Sequence, residues 1–416
     1  MPKDYSDPQS FNSGGLFGKV FQNRNLTCLW LGQIASQSGD AVFQIGLMWL
    51  VLELSGSETI TGLTAMASYL PAVLIGLYAG VAADRGSRRR IMLTADGFRT
   101  FIVLLIPLAA YLNILTPAFL ALNAFALAVS AAFFNPARDS LIPHIVPQSG
   151  LLRANSLIQT SWQFSLLLGP AAAGLLLHLL GGVHLFTADS AAYFISFLFI
   201  LFIKPRRMAE IPRKRGIGLN EIKEGLDFVL RNKVILPLLL ITIADNIFIM
   251  GPAIVGTPVF VKSILHKGAQ EYALIQACYA VGMLAGTAAL LTFGGRFKKG
   301  RILLFGMFLD GITFIPLFFV RSLILTELTI VIHSIAIPFL TISRASLIQE
   351  IVPGNLTGRV FALVNLSVVG MTAVSSGLAG IALEHFGAPA VFLVIGIGGG
   401  LCGVIGWLTA DDLKNA

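Results

Sequence analysis

Apolar stretches separated by short polar segments run along nearly the whole chain. A stretch of about 18 or more apolar residues is long enough to cross a hydrocarbon layer of ~30 Å as a helix. Such stretches recur at 27–53, 58–83, 91–112, 115–134, 157–181, 185–203, 234–261, 270–293, 302–320, 323–343, 361–382 and 388–410. The pattern predicts an all-α integral membrane protein with twelve transmembrane helices, because lipid leaves unpaired backbone groups unsatisfied.

Composition supports this prediction. The 416 residues are 56% hydrophobic and only 12% charged, a balance that is unusual for a soluble domain. The first 25 residues are polar and lack the apolar region and cleavage site of a signal peptide, so the first span is predicted to be the anchor. The cysteines at 28, 278 and 402 show no metal-ligand or disulfide spacing, and no metal or other cofactor is predicted.

The Lys and Arg residues are distributed among the polar segments on one predicted side of the membrane and do not form a single basic surface. The net charge is +8, and with the amino terminus placed inside, nearly all of the 29 Lys and Arg residues fall in cytoplasmic segments. Only Lys262, Lys267 and Arg321 fall outside. Because cytoplasmic loops of membrane proteins carry an excess of Lys and Arg, both termini are predicted to be cytoplasmic, and the basicity requires no nucleic acid.

An internal repeat divides the chain into two halves. The segment "RDSLIPHIVP" at 138–147 returns as "RASLIQEIVP" at 344–353, and "GDAVFQIG" at 39–46 aligns with "ADNIFIMG" at 244–251. Both pairs are separated by about half the chain, which predicts two parallel six-helix repeats. The predicted units are a cytoplasmic segment 1–25, a bundle 26–203, a cytoplasmic linker 204–233 with an amphipathic helix, a second bundle 234–410 and a cytoplasmic tail 411–416.

The loop after the second span carries a recognisable motif. The segment "GVAADRGSRRR" at 80–90 resembles the G-x-x-x-D-R-x-G-R-R signature of the major facilitator superfamily, although Ser87 replaces a glycine. The resemblance implies the fold of that superfamily, and we predict that the motif gates the two halves. A basic loop that only obeys the charge rule is the alternative. The predicted gating residues are Gly80, Asp84, Arg85, Arg88 and Arg89, with the repeated Arg138 and Arg344 opening two inner loops.

Other segments resemble one branch of that superfamily. The segments "FFNPARDSLIPHIVP", "IKEGLDFVLRNKVI" and "IQEIVPGNLTGRVFAL" look like the drug-exporter branch, which includes macrolide efflux proteins and the enterobactin exporter. The segment "GPAAAG", with Gly169, Pro170 and Gly174, resembles the antiporter signature of drug exporters in abbreviated form. Packing of small residues around a proline kink is the alternative. The resemblance implies a multi-pass protein of a bacterial inner membrane.

Two aspartates stand out within the spans. Asp40 lies near the middle of the first span, and Asp245 is its counterpart in the second repeat. Because a buried carboxylate is costly in lipid, we predict that both exchange a coupling proton or cation; a fixed hydrogen-bonding role between helices is the alternative. Gln33, Gln37 and Gln44 share one helix face with Asp40. The predicted substrate cavity contains Gln33, Gln37, Gln44, Met48, Asn246, Phe248 and Met250.

Four other polar residues within spans receive weaker interpretations. Asp96 and Arg99 are three residues apart and are expected to form an intrahelical ion pair. Asp189 lies toward the outer end of its span, where it is expected to reach water. His333 has no second histidine or cysteine at ligand spacing, so no metal site is expected there.

These features together predict a secondary active transporter, a proton-coupled antiporter that exports drug-like or macrolide-like hydrophobic compounds by alternating access. No phosphate-binding loop is present, so a gradient of protons or sodium must supply the energy. The alternative cargo is an endogenous metabolite such as a siderophore, or a lysolipid. No enzyme motif is found, and the predicted partners are the small-molecule substrate, the coupling ion and the lipid bilayer, with the monomer as the working unit.

Overall fold

The computed structural model describes residues 23–147, 150–204 and 219–416, and these residues form helices joined by turns. The basic first part of the linker, 205–218, and most of the amino-terminal segment lie outside the described residues. The helices are α1 (Arg24–Ser55), α2 (Glu58–Arg85), α3 (Arg88–Tyr111), α4 (Pro117–Leu141), α5 (Leu151–Leu180), α6 (His184–Leu201), α7 (Leu219–Arg231), α8 (Ile235–Gly251), α9 (Thr257–Ser263), α10 (Ala269–Phe293), α11 (Lys299–Ile312), α12 (Leu323–Ser334), α13 (Ile337–Ile351), α14 (Gly354–Thr409) and α15 (Asp411–Lys414).

Ten helical segments of the described residues are long and apolar enough to cross a membrane, compared with the twelve predicted. Helix α1 is not among the ten, because its glutamines and Asp40 lower its mean hydropathy. Helix α14 is counted once although it covers two predicted spans, which meet at Gly387 with φ +76°. The all-helical prediction is therefore confirmed, whereas this count does not confirm the number twelve.

Small residues let α1 lie deep within the first half of the chain, against α5 and α6. Gly32, Gly39 and Gly46 recur every seven residues, and each faces α6 so closely that an added Cβ would meet it at 3.3 Å or less. Close approach of this kind is how helices associate in lipid, where apolar surface alone gives little preference. The polar side chains of α1 are consequently held inside the bundle.

Glycines also bring helices of the second half into close contact. An added Cβ on Gly311 of α11 would lie 1.9 Å from the backbone nitrogen of Gly400. Likewise, a Cβ on Gly286 of α10 would lie 2.2 Å from the carbonyl oxygen of Ile335. Close packing thus accounts for the glycines concentrated at 396–403.

The most extensive contacts between the two halves join α2 to α14 and α5 to α10. In the first pair Gly62 faces Gly380, and an added Cβ on Gly62 would lie 2.7 Å from the Gly380 Cα atom. In the second pair Gly174 faces Ala273, at 3.7 Å from an added Cβ. Gly174 and Gly380 occupy equivalent places in the sequence repeat, so the repeat is reflected in the contact between the halves.

The halves share a hydrophobic core at one end of the molecule. We call this end, which carries the α1–α2 turn at Gly56 and the bend at Gly387, the turn end. The opposite end, which carries the α2–α3 loop and α7, is the linker end. One cluster at the turn end contains Leu52 and Ala65 from the first half together with Phe260 and Phe392 from the second.

At the linker end the described residues form separate cores. Leu29 and Met92 belong to a cluster of the first half, whereas Leu303 and Leu347 belong to a cluster of the second half. A further cluster joins α7 to the second half through Val229. The protein is therefore fastened by apolar packing across the halves at the turn end, and each half has its own core at the linker end.

Candidate functional site

Asp40 of α1 lies against α6 inside the first half. The Tyr193 hydroxyl donates a short hydrogen bond to the Asp40 carboxylate, and the guanidinium of Arg99 lies 5.3 Å from the centre of the Tyr193 ring. Asp40 is half-buried, whereas Tyr193 is fully buried. The hydrogen-bond partner of Asp40 therefore comes from α6 of its own half, and Arg99 of α3 packs against that partner.

The predicted pair of Asp96 and Arg99 is present on α3. An Arg99 nitrogen lies 3.4 Å from Asp96 Oδ1, and the Ser196 hydroxyl donates to Asp96 Oδ2 at 2.6 Å. The Arg99 guanidinium also lies 4.6 Å from the centre of the Phe134 ring, an attractive position for a cation. Both charged residues are buried, so this ion pair lies in the interior.

The expectation that Asp189 reaches water is wrong. Its side chain is 0% exposed, and neither carboxylate oxygen has a hydrogen-bond partner among the described residues. The physical reason is the close approach of α1, because an added Cβ on Gly39 would lie 2.3 Å from Asp189 Oδ1. Distance from a helix end did not reveal that a neighbouring helix covers this residue.

Together these side chains form an acid cluster, which we define as Asp40, Asp96, Asp189, Arg99 and Tyr193. Three carboxylates and one guanidinium share a region from which most water is excluded. In such surroundings charges interact more strongly than in water, and each uncompensated charge is costly. The arrangement can therefore bind protons or a small cation.

Gln33 and Gln37 of α1 extend from the acid cluster toward the linker end, whereas Gln44 lies on the turn-end side of Asp40. Gln37 donates to Gln33 Oε1 at 3.3 Å, and Arg138 of α4 donates to the same oxygen at 3.0 Å. The Nε2 atom of Gln44 is buried without a partner in the described part of the chain. Met48 is fully buried in the core shared by the halves. Arg138 is thus tied to the polar face of α1.

The second half places Asp245 in a comparable but sparser setting. Asp245 is buried, its Oδ1 atom lacks a partner among the described residues, and the Arg344 guanidinium is near enough to act on its charge. Asn246 donates to the Thr242 carbonyl oxygen at 2.8 Å. The arginines at equivalent places in the repeat, 138 and 344, therefore both lie near the polar face of the first helix of their half.

The predicted cavity residues of α8 lie apart from the acid cluster. Phe248 packs against α14, where an added Cβ on Gly398 would lie 2.6 Å from its ring. Met250, two residues further along α8, is half-buried. Phe248 and Met250 therefore lie in the second half, as the repeat implies. The predicted cavity glutamines Gln33, Gln37 and Gln44 lie in the first half.

A histidine and an aspartate form a further buried pair that spacing did not reveal. His333 Nε2 of α12 lies 3.6 Å from Asp310 Oδ1 of α11, and the Thr313 hydroxyl lies 3.0 Å from His333 Nδ1. The Phe314 ring lies 4.3 Å from the imidazole, centre to centre. Among residues 23–147, 150–204 and 219–416, no group of three His, Cys, Asp or Glu side chains could hold a metal ion.

The signature loop joins α3 to α6. Arg89 donates to the carbonyl oxygens of Ile200 at 3.2 Å and Leu201 at 2.6 Å, which are among the last carbonyls of α6. Arg85 is exposed at the end of α2, and Arg88 begins α3. The Asp84 side chain lies outside the described part of the structure. Arg89 therefore adds donors at the carboxyl end of α6, where helix carbonyl groups lack partners within the helix; the Ile200 carbonyl also accepts from the Ile203 backbone N–H.

The antiporter-like segment brings α5 close to the helix of Asp40. An added Cβ on Gly169 would lie 2.4 Å from the Ala41 Cβ atom, and an added Cβ on Gly174 faces α10 of the other half. Pro170 lies within α5, between these two contacts. Helix α5 consequently links the acid cluster region to the contact between the halves.

Comparison with known proteins agrees with this architecture. A profile of the transmembrane secretion effector family matches residues 19–410. Macrolide efflux protein A of Streptococcus pyogenes is 23% identical over 340 residues, covering 80% of this chain and 83% of the relative. The multidrug efflux pump Tap of Mycobacterium tuberculosis is 30% identical over 220 residues, covering 49% of this chain and 50% of the pump.

A solved structure extends the comparison to three dimensions. The crystal structure of the nucleoside transporter NupG superimposes with a TM-score of 0.73 at 13% identity, covering 92% of this chain and 98% of NupG. At that identity the match shows a shared fold. The long apolar helices and the bacterial transporter relatives identify a multi-pass protein of a bacterial inner membrane that moves small molecules and is not an enzyme. The chain belongs to the transmembrane secretion effector family of the major facilitator superfamily.

Proposed function

We propose that this chain is a proton-coupled antiporter that exports hydrophobic or amphipathic compounds by alternating access. In the proposed topology twelve helices cross the membrane, and the bundles 26–203 and 234–410 move as two bodies within a monomer. The linker end and both termini face the cytoplasm, since the basic α2–α3 loop lies at that end and such loops are retained inside. The turn end then faces the exterior.

The acid cluster is the observation that carries the proposal. Its three carboxylates have one guanidinium among them, and Asp189 has no hydrogen-bond partner in the described structure. Ionising all three carboxylates in a buried site would cost several kcal/mol per uncompensated charge. We therefore expect the cluster to hold protons, and to gain or lose one when its exposure to water changes.

Asp40 is the member best suited to exchange that proton. It is half-buried, whereas Asp96 and Asp189 are completely buried. The Tyr193 hydroxyl holds its carboxylate, Arg99 packs against the Tyr193 ring, and Gln33 and Gln37 continue the polar face of α1 toward the linker end. A proton that enters from the exterior would neutralise Asp40, and its release to the cytoplasm would restore the charge.

The separate cores at the linker end support alternating access. A bundle fastened at the turn end, with an independent core in each half at the linker end, suits a transporter that accepts cargo from the cytoplasm. The cargo would lie between the halves, against the polar face of α1 and the Asn246–Met250 segment of α8. Methionine side chains such as Met48 adapt to different shapes.

The gating residues are proposed to act when the linker end closes. They are Gly80, Asp84, Arg85, Arg88, Arg89, Arg138 and Arg344, which belong to or border the linker end of each half. Arg89 already holds α3 to α6, so the first half can move as a unit. Asp245 with Arg344 is proposed as a second position for the coupling proton or cation.

The names of two relatives support a drug-like cargo. One is a macrolide efflux protein and the other a multidrug efflux pump. A radiolabelled macrolide is therefore the first probe, and a panel of unrelated hydrophobic drugs, a siderophore and a lysolipid distinguishes broad export from export of one metabolite.

The test uses the purified protein in liposomes with an acidic lumen, where a proton antiporter drives the macrolide inward. We expect Asp40→Asn to reduce this uptake to the level of protein-free liposomes while preserving macrolide exchange, because exchange needs only reorientation of the loaded protein. Asp412→Asn is the matched control, since Asp412 is exposed beyond the last span. Full gradient-driven uptake by Asp40→Asn, or equal loss in the control, contradicts the proposal. A sodium gradient at equal pH tests sodium in place of protons.

A further inference from the structure

Two charged side chains of the second half reach across the turn end to the two helix termini of the α1–α2 turn. Lys262 of α9 donates from Nζ to the Leu52 carbonyl oxygen at 2.9 Å. Glu384 of α14 accepts from the Ser57 hydroxyl at 2.7 Å and from the Thr59 backbone nitrogen at 2.9 Å. All three hydrogen bonds join one half of the chain to the other.

The charges match the helix ends that they meet. The Leu52 carbonyl lies in the last turn of α1, where the helix dipole is negative, and it receives the positive Lys262. The Thr59 N–H lies in the first turn of α2, where the dipole is positive, and it receives the negative Glu384. Helix termini favour charges of these signs, because their terminal backbone groups lack partners within the helix.

The positions of these two residues make the contacts specific to one state. The turn at Gly56 keeps the ends of α1 and α2 together, so both charges act on one rigid corner of the first half. Beneath this corner Gly62 and Gly380 bring α2 and α14 into backbone contact. Opening the turn end would separate α14 from α2, and both Glu384 hydrogen bonds would break with it.

We propose that Glu384 and Lys262 form a charged clasp that holds the exterior end of the transporter closed and sets the fraction of molecules open to each side. The clasp rests on the two-state movement of the proposed function, but not on its coupling ion. Glu384 and Lys262 touch neither the acid cluster nor the predicted cavity residues. They are positioning residues, which act by stabilising one arrangement of the halves.

The experiment measures how often the turn end opens. Ala379 of α14 is 4% exposed in the shared core, and Ala379→Cys places a reporter there in a chain whose three native cysteines are replaced by serine. Right-side-out vesicles are treated with a membrane-impermeant maleimide, and the labelling rate is followed. Because opening of the turn end exposes position 379, the rate reports the open fraction.

We expect Glu384→Gln and Lys262→Met each to raise the labelling rate by roughly 2- to 5-fold, as follows from the usual strength of a charge at a helix terminus. The double variant should show about the product of the two effects, because the two charges meet different helix ends. Glu53→Gln is the matched control, since Glu53 is an exposed acid at the same end on α1. Its labelling rate should equal that of the parent.

A steric variant distinguishes a failure of the clasp proposal from a failure of the turn end to open at all. Gly62→Leu keeps both charges but wedges α2 away from α14, so it should label quickly and prove that the reporter detects opening. Fast labelling in Gly62→Leu with parent rates in Glu384→Gln and Lys262→Met would overturn the clasp alone. Slow labelling in every variant would overturn both the clasp and alternating access, whereas a failure of proton coupling would leave the labelling results unchanged.

Discussion

Arg99→Met removes the single guanidinium from the acid cluster and tests whether that charge holds the first half together. Methionine retains much of the volume and flexibility of the arginine stem, so the change is mainly one of charge. It breaks the ion pair with Asp96, whose side chain is 0% exposed, and the contacts of the cation with the Phe134 and Tyr193 rings.

The expected loss follows from these contacts. Removing one partner of a buried ion pair typically costs about 3–5 kcal/mol, because the remaining charge is left uncompensated. Each cation–ring contact adds about 0.5–2 kcal/mol, and the terms overlap because they involve one side chain. We therefore expect Arg99→Met to lower the free energy of unfolding by about 3–5 kcal/mol. Arg99→Lys keeps the charge without the planar geometry and should fall between the parent and Arg99→Met.

The assay is equilibrium unfolding in mixed detergent micelles, followed by the fluorescence of the four tryptophans. The double variant Arg99→Met with Asp96→Asn distinguishes a charge effect from a packing effect, because it removes the orphaned carboxylate as well. If charge dominates, the double variant should recover to within about 1.5 kcal/mol of the parent. A loss below about 1 kcal/mol in Arg99→Met, or a double variant no more stable than the single one, would refute the reasoning.

Two further predictions concern the second half. Gly286→Val should lower the free energy of unfolding by about 1–3 kcal/mol, since its Cβ would meet the Ile335 carbonyl oxygen at 2.2 Å; the same unfolding assay checks it, and an unchanged value would contradict the tight packing. Glu384 lies between the two predicted spans of α14, and its hydrogen bonds, with a smaller effect from His385, lower its pKa to about 2. Its stabilising contribution is complete above its ordinary pKa and is lost as the pH falls toward 2. The labelling rate at position 379, divided by that of a fully exposed cysteine at the same pH to remove the titration of the thiol, should therefore stay constant between pH 8 and pH 5.5 and rise below pH 4.

Helical spacing located the important residues of α1 better than it located their partners. The four-three-four spacing of Gln33, Gln37, Asp40 and Gln44 places them on one face, as the sequence analysis expected. This spacing does not indicate which neighbouring helix packs against that face of α1. The structure joins Asp40 to Tyr193 of α6, because the contact geometry depends on glycines that let two backbones approach.

Pairs of residues from different helices were the least predictable part of the site. Asp310 and His333 lie on α11 and α12, and their contact depends on the depth at which each helix sits in the bundle. The burial of Asp189 likewise depends on Gly39, a residue far away in sequence. The repeat was more informative, since Gly174 and Gly380 are separated by the same 206 residues as Arg138 and Arg344, and both lie where the halves meet.

The shared core at the turn end also affects how strictly the transporter must select its cargo by shape. The halves are joined there largely by apolar side chains, such as Leu52 and Ala65 of the first half and Phe260 and Phe392 of the second, whose attraction depends on area and little on direction. Separating them exposes that surface, which is unfavourable until other apolar surface covers it. The amphipathic cargo proposed above would supply such surface whatever its outline, so molecules of unrelated shape would lower the same barrier in proportion to the area they cover.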